Sequence, residues 1–241
     1  MPEQQNEGAG TLQRLSIPIA IVVAGGLIAG AVFFSKAPGP QSGGKLPSVN
    51  VEDVSISADD PVIGDKNAPV TLAYWFDYQC PYCKAVDVGG IPQIPIEPAM
   101  PTLVKDYVKT GKLKIVFKDY AFLGEDSTTA ALYSHAVWKL YPDKFLEWHT
   151  AMFEAQDEEH GGFGDEASIL ELIRGISGLD ANRLKKQVAD KRDEYLALIE
   201  KDQQEGASFG IQGTPGFITG TTLIPGAEDL STFKTVIDAQ L

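Results

Sequence analysis

Hydrophobic residues occur first in one long unbroken run and then in shorter periodic groups. Residues 15–34 contain no charged side chain, and as a helix they are long enough to cross the ~30 Å hydrocarbon core of a bilayer. A cleaved signal peptide, the alternative, needs an apolar region of only ~7 to 15 residues. The pattern therefore predicts a short cytoplasmic tail over residues 1–14, a single transmembrane signal anchor over 15–34, and an exported remainder.

The segment that follows, residues 35–48, is rich in Pro, Gly and Ser and has no apolar periodicity. This composition is typical of a tether between folded parts. Residues 49–241 are enough for one domain with a substantial core, which needs no disulfide or metal to hold it together.

Strand and helix patterns alternate in the first half of this domain. Residues 70–78 are rich in β-branched and aromatic side chains and predict a buried strand, and residues 112–120 predict a second one. A helix that begins at Pro81 and another over residues 102–110 lie between them. The two strands are therefore expected to pair in parallel through a right-handed crossover.

The second half of the domain is mainly helical in pattern. Apolar residues at helical spacing run through residues 125–206, which predicts an inserted block of helices. Residues 216–226 predict a hairpin that turns at Gly220, and the chain ends in an amphipathic helix with Asp229 or Ser231 as its N-cap. The sequence thus predicts an α/β frame of βαβ and ββα units around a helical insertion.

Four prolines recur at a spacing of three residues, which is the period of a polyproline II helix. They are Pro92, Pro95, Pro98 and Pro101. The spacing predicts a stiff extended segment with the rings along one edge. A rigid surface connection and a recognition surface both remain open as its role.

The charge excludes one class of partner. The chain of 241 residues has a formal charge of −13, and its first 47 residues sum to +1, so the predicted exported part carries −14. Such a surface repels phosphate backbones, and no nucleic-acid partner is expected. Acidity indicates nothing more specific, because it also keeps many exported domains soluble.

The chain has only two cysteines, Cys80 and Cys83, in the stretch DYQCPYCK. A zinc site would need two further ligands, and no two histidines lie three to five residues apart, the spacing that would place two neighbouring ligands on one helix face. A disulfide between residues three apart closes too small a loop to constrain the unfolded chain much. The pair is therefore predicted to be redox-active, without metal or cofactor.

Cys80 falls where the first predicted strand ends and a helix begins. Unpaired backbone N–H groups and the helix dipole favour the thiolate there, and the thiolate is the reactive form. We therefore predict that Cys80 is an accessible nucleophile with a depressed pKa and that Cys83, one turn further, is buried and resolves mixed disulfides. Pro81 and Tyr82 between them are expected to tune the redox balance.

A second stretch, GTPGFITG, places Thr214 and Pro215 just before a predicted strand. Together with FDYQCPYCK, it resembles the thioredoxin superfamily, and within it the DsbA-like thiol-disulfide oxidoreductases, over residues 60–241. The resemblance implies a thioredoxin-like α/β fold with an inserted helical subdomain. It also implies that Cys80 exchanges with substrate, that Cys83 resolves, that Pro215 is a cis-proline, and that Thr214 offers backbone hydrogen bonds to substrate.

One position departs from the pattern of that family. Relatives usually have a buried carboxylate six residues before the first cysteine, where it helps to move protons to and from the resolving thiol, but this chain has Tyr74. A phenol with a pKa of about 10 is a poor base near neutral pH. Proton transfer is therefore expected to run through water or Lys118. A solvated or salt-bridged charge near a strand end is the alternative for Lys118 and Asp77.

The resemblance and the predicted anchor together imply a function. We expect a single-pass protein of the cell membrane, with its catalytic domain on the extracytoplasmic side, that introduces disulfides into reduced, unfolded proteins and is reoxidised by a membrane quinone-linked oxidase. A reductase or isomerase of the same fold remains open. So does a chaperone or binding module that holds clients on the proline-rich edge.

Overall fold

The computed structural model describes residues 49–157 and 161–241. The predicted tail, anchor and tether, residues 1–14, 15–34 and 35–48, lie outside the described residues. Among the residues that are described, no helix has the length and apolar character needed to span a bilayer.

A five-stranded sheet with the order β1-β3-β2-β4-β5 forms the centre of the fold. Its strands are β1 (Val62–Ile63), β2 (Val70–Phe76), β3 (Leu113–Asp119), β4 (Gly216–Thr219) and β5 (Thr222–Pro225). The central pair, β2 and β3, is parallel, as the βαβ pattern predicts, and every other neighbouring pair is antiparallel.

Seven α-helices surround this sheet within the described ranges. They are α1 (Pro81–Asp87), α2 (Ala99–Leu103), α3 (Glu125–Leu140), α4 (Phe145–Ala155), α5 (Glu166–Gly175), α6 (Ala181–Ser208) and α7 (Leu230–Asp238). Helix α2 continues into a π-helical turn, Val104–Val108, and 3-10 turns occur at Val51–Asp53 and Pro142–Lys144. Helices α3 to α6 are inserted between β3 and β4, and Asp229 is the N-cap of α7.

The side chains of the central strand β2 alternate between the two faces of the sheet. Both faces are buried, because each packs against its own apolar cluster. Leu72, Tyr74 and Phe76 face the larger apolar cluster, which contains both cysteines and residues of all seven helices. Ala73 and Trp75 face a smaller cluster on the other side of the sheet. The cysteines and Tyr74 therefore share one face of the sheet.

The proline run does not form one continuous polyproline II helix. The N–H of Ile94 donates to the carbonyl of Ile91 at 2.9 Å, which closes a turn at the start of the run. Pro98 is the N-cap of α2, and Pro101 lies within that helix. Proline is tolerated in a first helical turn because its missing N–H would have no helical partner. The run thus separates α1 from α2.

Lys118 is fully buried on the Trp75 face of the sheet. Its Nζ lies 2.7 Å from Asp60, 3.1 Å from Asp202 and 3.3 Å from Glu205. Burial alone lowers the pKa of Lys118, but the carboxylates outweigh this and raise it. The ion cluster joins the segment before β1 to β3 and α6, so the salt-bridged alternative for Lys118 is the one that the structure shows.

Gly206 in α6 permits close packing against Trp75. A Cβ at Gly206 would lie 2.8 Å from Trp75 Cδ1, whereas a Cβ at Gly175, at the end of α5, would meet no atom within 4 Å. The Trp75 indole N–H also donates to the Asp202 carbonyl of α6 at 2.9 Å. Any added atom at Gly206 therefore displaces a side chain that is fixed on two sides.

We predict opposite effects of the same substitution at these two glycines. Gly206→Ala is expected to lower the free energy of unfolding by about 1 to 3 kcal/mol because of overpacking. Gly175→Ala, the matched control, should leave it unchanged or raise it by up to ~1 kcal/mol, since alanine favours helix over glycine. Urea denaturation of both variants is the measurement. Equal stabilities would contradict the predicted clash.

Candidate active site

Cys80 lies at the junction between β2 and α1, as the pattern predicts. It is the N-cap residue of α1, with extended backbone at φ −81° and ψ 118°, and Pro81 occupies the first helical turn. Proline favours this position because its φ already suits a helix. The sequence CP therefore fixes where the helix starts and places the first thiol at its beginning.

Asp77 holds the loop between β2 and α1 to the loop before α3. Its carboxylate accepts hydrogen bonds from the backbone N–H groups of Gln79 at 2.8 Å, Phe122 at 2.9 Å and Leu123 at 3.2 Å. Burial raises the pKa of Asp77, and these hydrogen bonds oppose the rise. Asp77 is thus a structural acceptor beside the cysteines.

Both cysteines are free thiols, and they differ in exposure. Cys83 is fully buried, as predicted, while Cys80 exposes only 4% of its surface. The prediction that Cys80 is accessible is therefore wrong, because its surface is almost as fully covered as that of Cys83. Tyr82 between them is 52% exposed and marks the surface above the pair.

The two thiols have opposite pKa shifts. A hydrogen bond from the Cys83 thiol is the main cause that lowers the pKa of Cys80 to about 7, with Thr214 and the backbone N–H groups of Cys83 and Tyr82 contributing against the effect of burial. Burial is the main cause that raises the pKa of Cys83 well above its ordinary value, and its hydrogen bond to Cys80 adds to this. Near neutral pH, Cys80 is therefore present both as thiol and as thiolate, while the neighbouring Cys83 keeps its proton.

Thr214 and Pro215 lie directly beside Cys80, and the bond between them is cis. The Cys80 thiol donates to the Thr214 carbonyl at 3.3 Å. The Thr214 hydroxyl is buried and has no hydrogen-bond partner among the described residues, so it is free to donate to Cys80 once the thiolate forms. A groove of about 280 Å³ runs past Thr214 and Pro215 toward Pro225.

The helical insertion also contacts the active-site loop. Gln156, immediately after α4, donates through Nε2 to the carbonyls of Tyr78 at 2.6 Å and Cys80 at 3.1 Å. Lys84 of α1 in turn donates to the Gln156 carbonyl at 2.6 Å. The end of α4 thus holds the backbone on which Cys80 sits.

A buried polar network lies behind the cysteines. The Tyr74 hydroxyl donates to Asp87 Oδ2 at 2.6 Å, and His149 Nε2 lies 3.0 Å from Asp87 Oδ1. The Tyr78 hydroxyl lies 2.9 Å from His149 Nδ1. Asp87 follows Cys83 by four residues on α1, one helical turn away on the same face.

Two features of this site differ from the sequence prediction. Lys118 does not serve the cysteines, because it follows Phe117, the partner of Tyr74 in the parallel ladder, and so points to the opposite face of the sheet. The sequence prediction also missed Asp87 and His149. The spacing between Cys83 and Asp87 was visible in the sequence, but no local pattern brings His149 next to them.

Comparison with known proteins identifies the family. A family model described as Thioredoxin matches residues 57–239. The chain belongs to the thioredoxin family. It is 29% identical to disulfide bond formation protein D of Bacillus subtilis over 181 residues, which is 75% of this chain and 77% of that protein.

Solved structures of thiol-disulfide exchange proteins have the same fold. Oxidised BdbD of Bacillus subtilis matches with a TM-score of 0.66 and 27% identity, covering 80% of this chain and 97% of that one. The thiol-disulfide exchange protein alpha-DsbA2 of Wolbachia pipientis matches with a TM-score of 0.63 and 28% identity, covering 76% and 87%. This member of the thioredoxin family is a thiol-disulfide oxidoreductase.

We predict that Thr214→Val raises the pKa of Cys80 from about 7, because the thiolate loses a hydroxyl donor while the shape of the side chain is kept. Loss of one hydrogen bond to a charged group is expected to move the pKa by about one pH unit. Alkylation rates of the reduced protein, measured against pH, report the value. Thr71→Val makes the same change near the start of β2 and should leave the profile unaltered. An unchanged profile in Thr214→Val would show that the Thr214 hydroxyl does not lower the pKa of Cys80.

Proposed function

We propose that the chain is an exported disulfide oxidase that introduces disulfides into reduced, unfolded proteins through Cys80 and Cys83. The observation that carries the proposal is the geometry of the pair: Cys80 caps the start of α1 beside Thr214 and Pro215, and the Cys83 thiol is buried within the first turn of the same helix. A Cys80 pKa of about 7, against ~8.5 for a free cysteine, corresponds to about 2 kcal/mol of preference for the thiolate. Stabilising the thiolate stabilises the reduced pair and makes the disulfide more oxidising.

The reaction then runs in two exchanges. A substrate thiolate attacks Cys80 of the Cys80–Cys83 disulfide, so that a mixed disulfide forms and Cys83 leaves as a thiolate that takes up a proton. A second substrate thiolate attacks the substrate sulfur of the mixed disulfide and releases Cys80 as a thiolate. Two electrons pass from the substrate to the pair. In this scheme the backbone of Thr214 and the groove along Pro215 bind the substrate segment, and Pro81 and Tyr82 tune the exchange.

The same proposal places the domain outside the cytoplasm. The apolar run 15–34 would hold the chain in the cell membrane, and disulfides persist in the oxidising compartments beyond it. A membrane quinone-linked oxidase would accept the two electrons from the reduced pair and complete the cycle. The name of a relative supports this direction, because the matched Bacillus protein is called a disulfide bond formation protein.

One observation favours a second candidate, a disulfide reductase. The Cys80 pKa of about 7 is close to that of thioredoxin, whose pair is strongly reducing, whereas DsbA has a pKa of about 3.5 and is strongly oxidising. The thiol pKa alone does not determine the potential. A measurement of the reduction potential therefore decides whether the protein acts as oxidase or reductase.

We predict a reduction potential for the Cys80/Cys83 pair nearer to the ~−120 mV of DsbA than to the ~−270 mV of thioredoxin. Equilibration with glutathione buffers measures it. The oxidised protein should also restore activity to a reduced, unfolded disulfide protein. Cys80→Ser and Cys83→Ser should each abolish this, because neither variant can form the internal disulfide. A potential near that of thioredoxin would replace the oxidase by the reductase.

We predict that the mature protein keeps residues 15–34 and sediments with membranes, because the apolar run exceeds what a cleaved signal requires. N-terminal sequencing of the mature protein tests this, together with protease protection of the domain in intact cells. A mature N-terminus at Val32 or Pro38 would show cleavage and a released domain.

A further inference from the structure

The resolving thiol has a proton to lose and regain, and it lies where water does not reach. Cys83 is fully buried, and so are Tyr74 and His149. Each exchange that forms or breaks the Cys80–Cys83 bond removes a proton from Cys83 or returns one to it. A buried thiolate without a nearby proton donor would be strongly disfavoured. Some group beside Cys83 must therefore exchange protons with it.

Two of the three hydrogen bonds behind Cys83 end on one acceptor. Asp87 receives the Tyr74 hydroxyl on Oδ2 and faces His149 Nε2 with Oδ1. With Nε2 as the donor, His149 Nδ1 accepts from the Tyr78 hydroxyl across 2.9 Å. Both carboxylate oxygens of Asp87 are thus used, which holds that carboxylate one helical turn behind Cys83.

Tyr74 cannot take this role by itself. Burial first, and then the Asp87 carboxylate and the Cys83 thiol, raise the pKa of Tyr74 well above 10, so the phenol keeps its proton at neutral pH. It can still pass a proton on, because it interacts with Cys83 while its hydroxyl donates to Asp87. Lys118 is excluded because it lies on the other face of the sheet.

Asp87 also has a route to solvent. It is the buried charged residue that lines a groove of about 270 Å³ between α1, α2 with its π-turn, and α4. The charged side chains at the outer part of this groove, Lys105, Lys109 and Glu154, are exposed. The titratable and charged groups that face the network from the packed elements are Tyr74, Tyr78, Cys80, Cys83, Asp119, His149, Lys105, Lys109 and Glu154.

We propose that Asp87, held by His149 and reached through Tyr74, exchanges protons with Cys83 and with solvent in the groove behind α1. When Cys83 attacks a mixed disulfide on Cys80, its S–H proton passes to the Tyr74 oxygen as the phenol proton passes to Asp87. The new bond joins the two cysteine sulfurs, and the partner sulfur leaves as a thiolate with the electron pair. When Cys83 is the leaving group, the protons move in the opposite direction.

This inference deepens the proposed function and rests on it for the roles of the two cysteines. Relatives place a carboxylate at the position of Tyr74. In this chain Asp87, one turn after Cys83 on α1, takes the place of that carboxylate. The device needs Cys83, Tyr74 and Asp87 together.

The test follows resolution by Cys83 in the full chain. Reduced protein is mixed with oxidised glutathione, quenched with acid at intervals, and analysed by mass for the glutathione adduct of Cys80 and the internal disulfide. In Tyr74→Phe and Asp87→Asn, formation of the adduct should be unchanged, but its resolution should slow by on the order of 10²-fold. Tyr107→Phe and Asp238→Asn alter another tyrosine–aspartate hydrogen bond, 2.8 Å long, and should not slow it.

Two readouts separate a proton relay from a packing defect. Without the relay, solution base must deprotonate Cys83, so resolution by the variants should rise about tenfold per pH unit, while the unaltered chain has a flatter profile. Acetate that enters the groove should replace the missing carboxylate, so the rate of resolution by Asp87→Asn should rise in proportion to the acetate concentration. Slowing that is independent of both pH and acetate would overturn the relay.

Folding is checked by circular dichroism. Tyr74→Phe keeps the ring that stacks on Phe217 at 4.4 Å, so it remains informative if Asp87→Asn does not fold. Normal exchange with unchanged resolution in Tyr74→Phe overturns the relay alone. Absence of exchange in the unaltered chain would overturn the oxidoreductase function and the relay with it. Because glutathione exchange is followed, the result does not depend on whether the protein acts as oxidase or reductase.

Discussion

Exclusion of water from Cys83 is the constraint on which the rest of the active site depends. A buried thiol keeps its proton, and that proton is what Cys83 donates to stabilise the Cys80 thiolate. The same burial makes transient ionisation of Cys83 costly. The polar groups behind α1 follow from this need. Each of them also requires a partner, since buried polar groups without hydrogen bonds destabilise a fold, and the bonds around Asp87 meet that requirement.

The helical insertion is part of the active site rather than an addition to it. Helix α4 brings His149 to Asp87, and Gln156 just after its end brings a side-chain donor to the carbonyl of Cys80. These two residues are seven apart, so two helical turns place them along one side of α4. The thioredoxin frame alone supplies the thiols, Tyr74 and Asp87. The insertion contacts α1 at both ends, through Gln156 at Cys80 and through His149 at Asp87.

Local patterns predicted the frame, and tertiary contacts decided the rest. Alternating and β-branched residues located β2 and β3, and Pro81 after Cys80 located the start of α1, because these signals act within a few residues. His149 was missed because it lies 62 residues from Asp87 along the chain. The predicted role of Lys118 beside the cysteines was wrong because the register of β2 against β3 decides which face each side chain occupies. Neither strand by itself determines that register. The proline spacing predicted one extended segment, and this was wrong because the chain turns at Ile91 and begins a helix after Pro98.

The two faces of the sheet separate two kinds of buried charge. On one face, Cys80 and Cys83 titrate beside Asp87. On the other, Lys118 compensates Asp60, Asp202 and Glu205 and ties down the segment that leads into β1. Val49 and Val54 pack with Trp75 on that second face. The segment before β1 is therefore bound on the face opposite the thiols, by apolar contacts as well as by the ion cluster around Lys118.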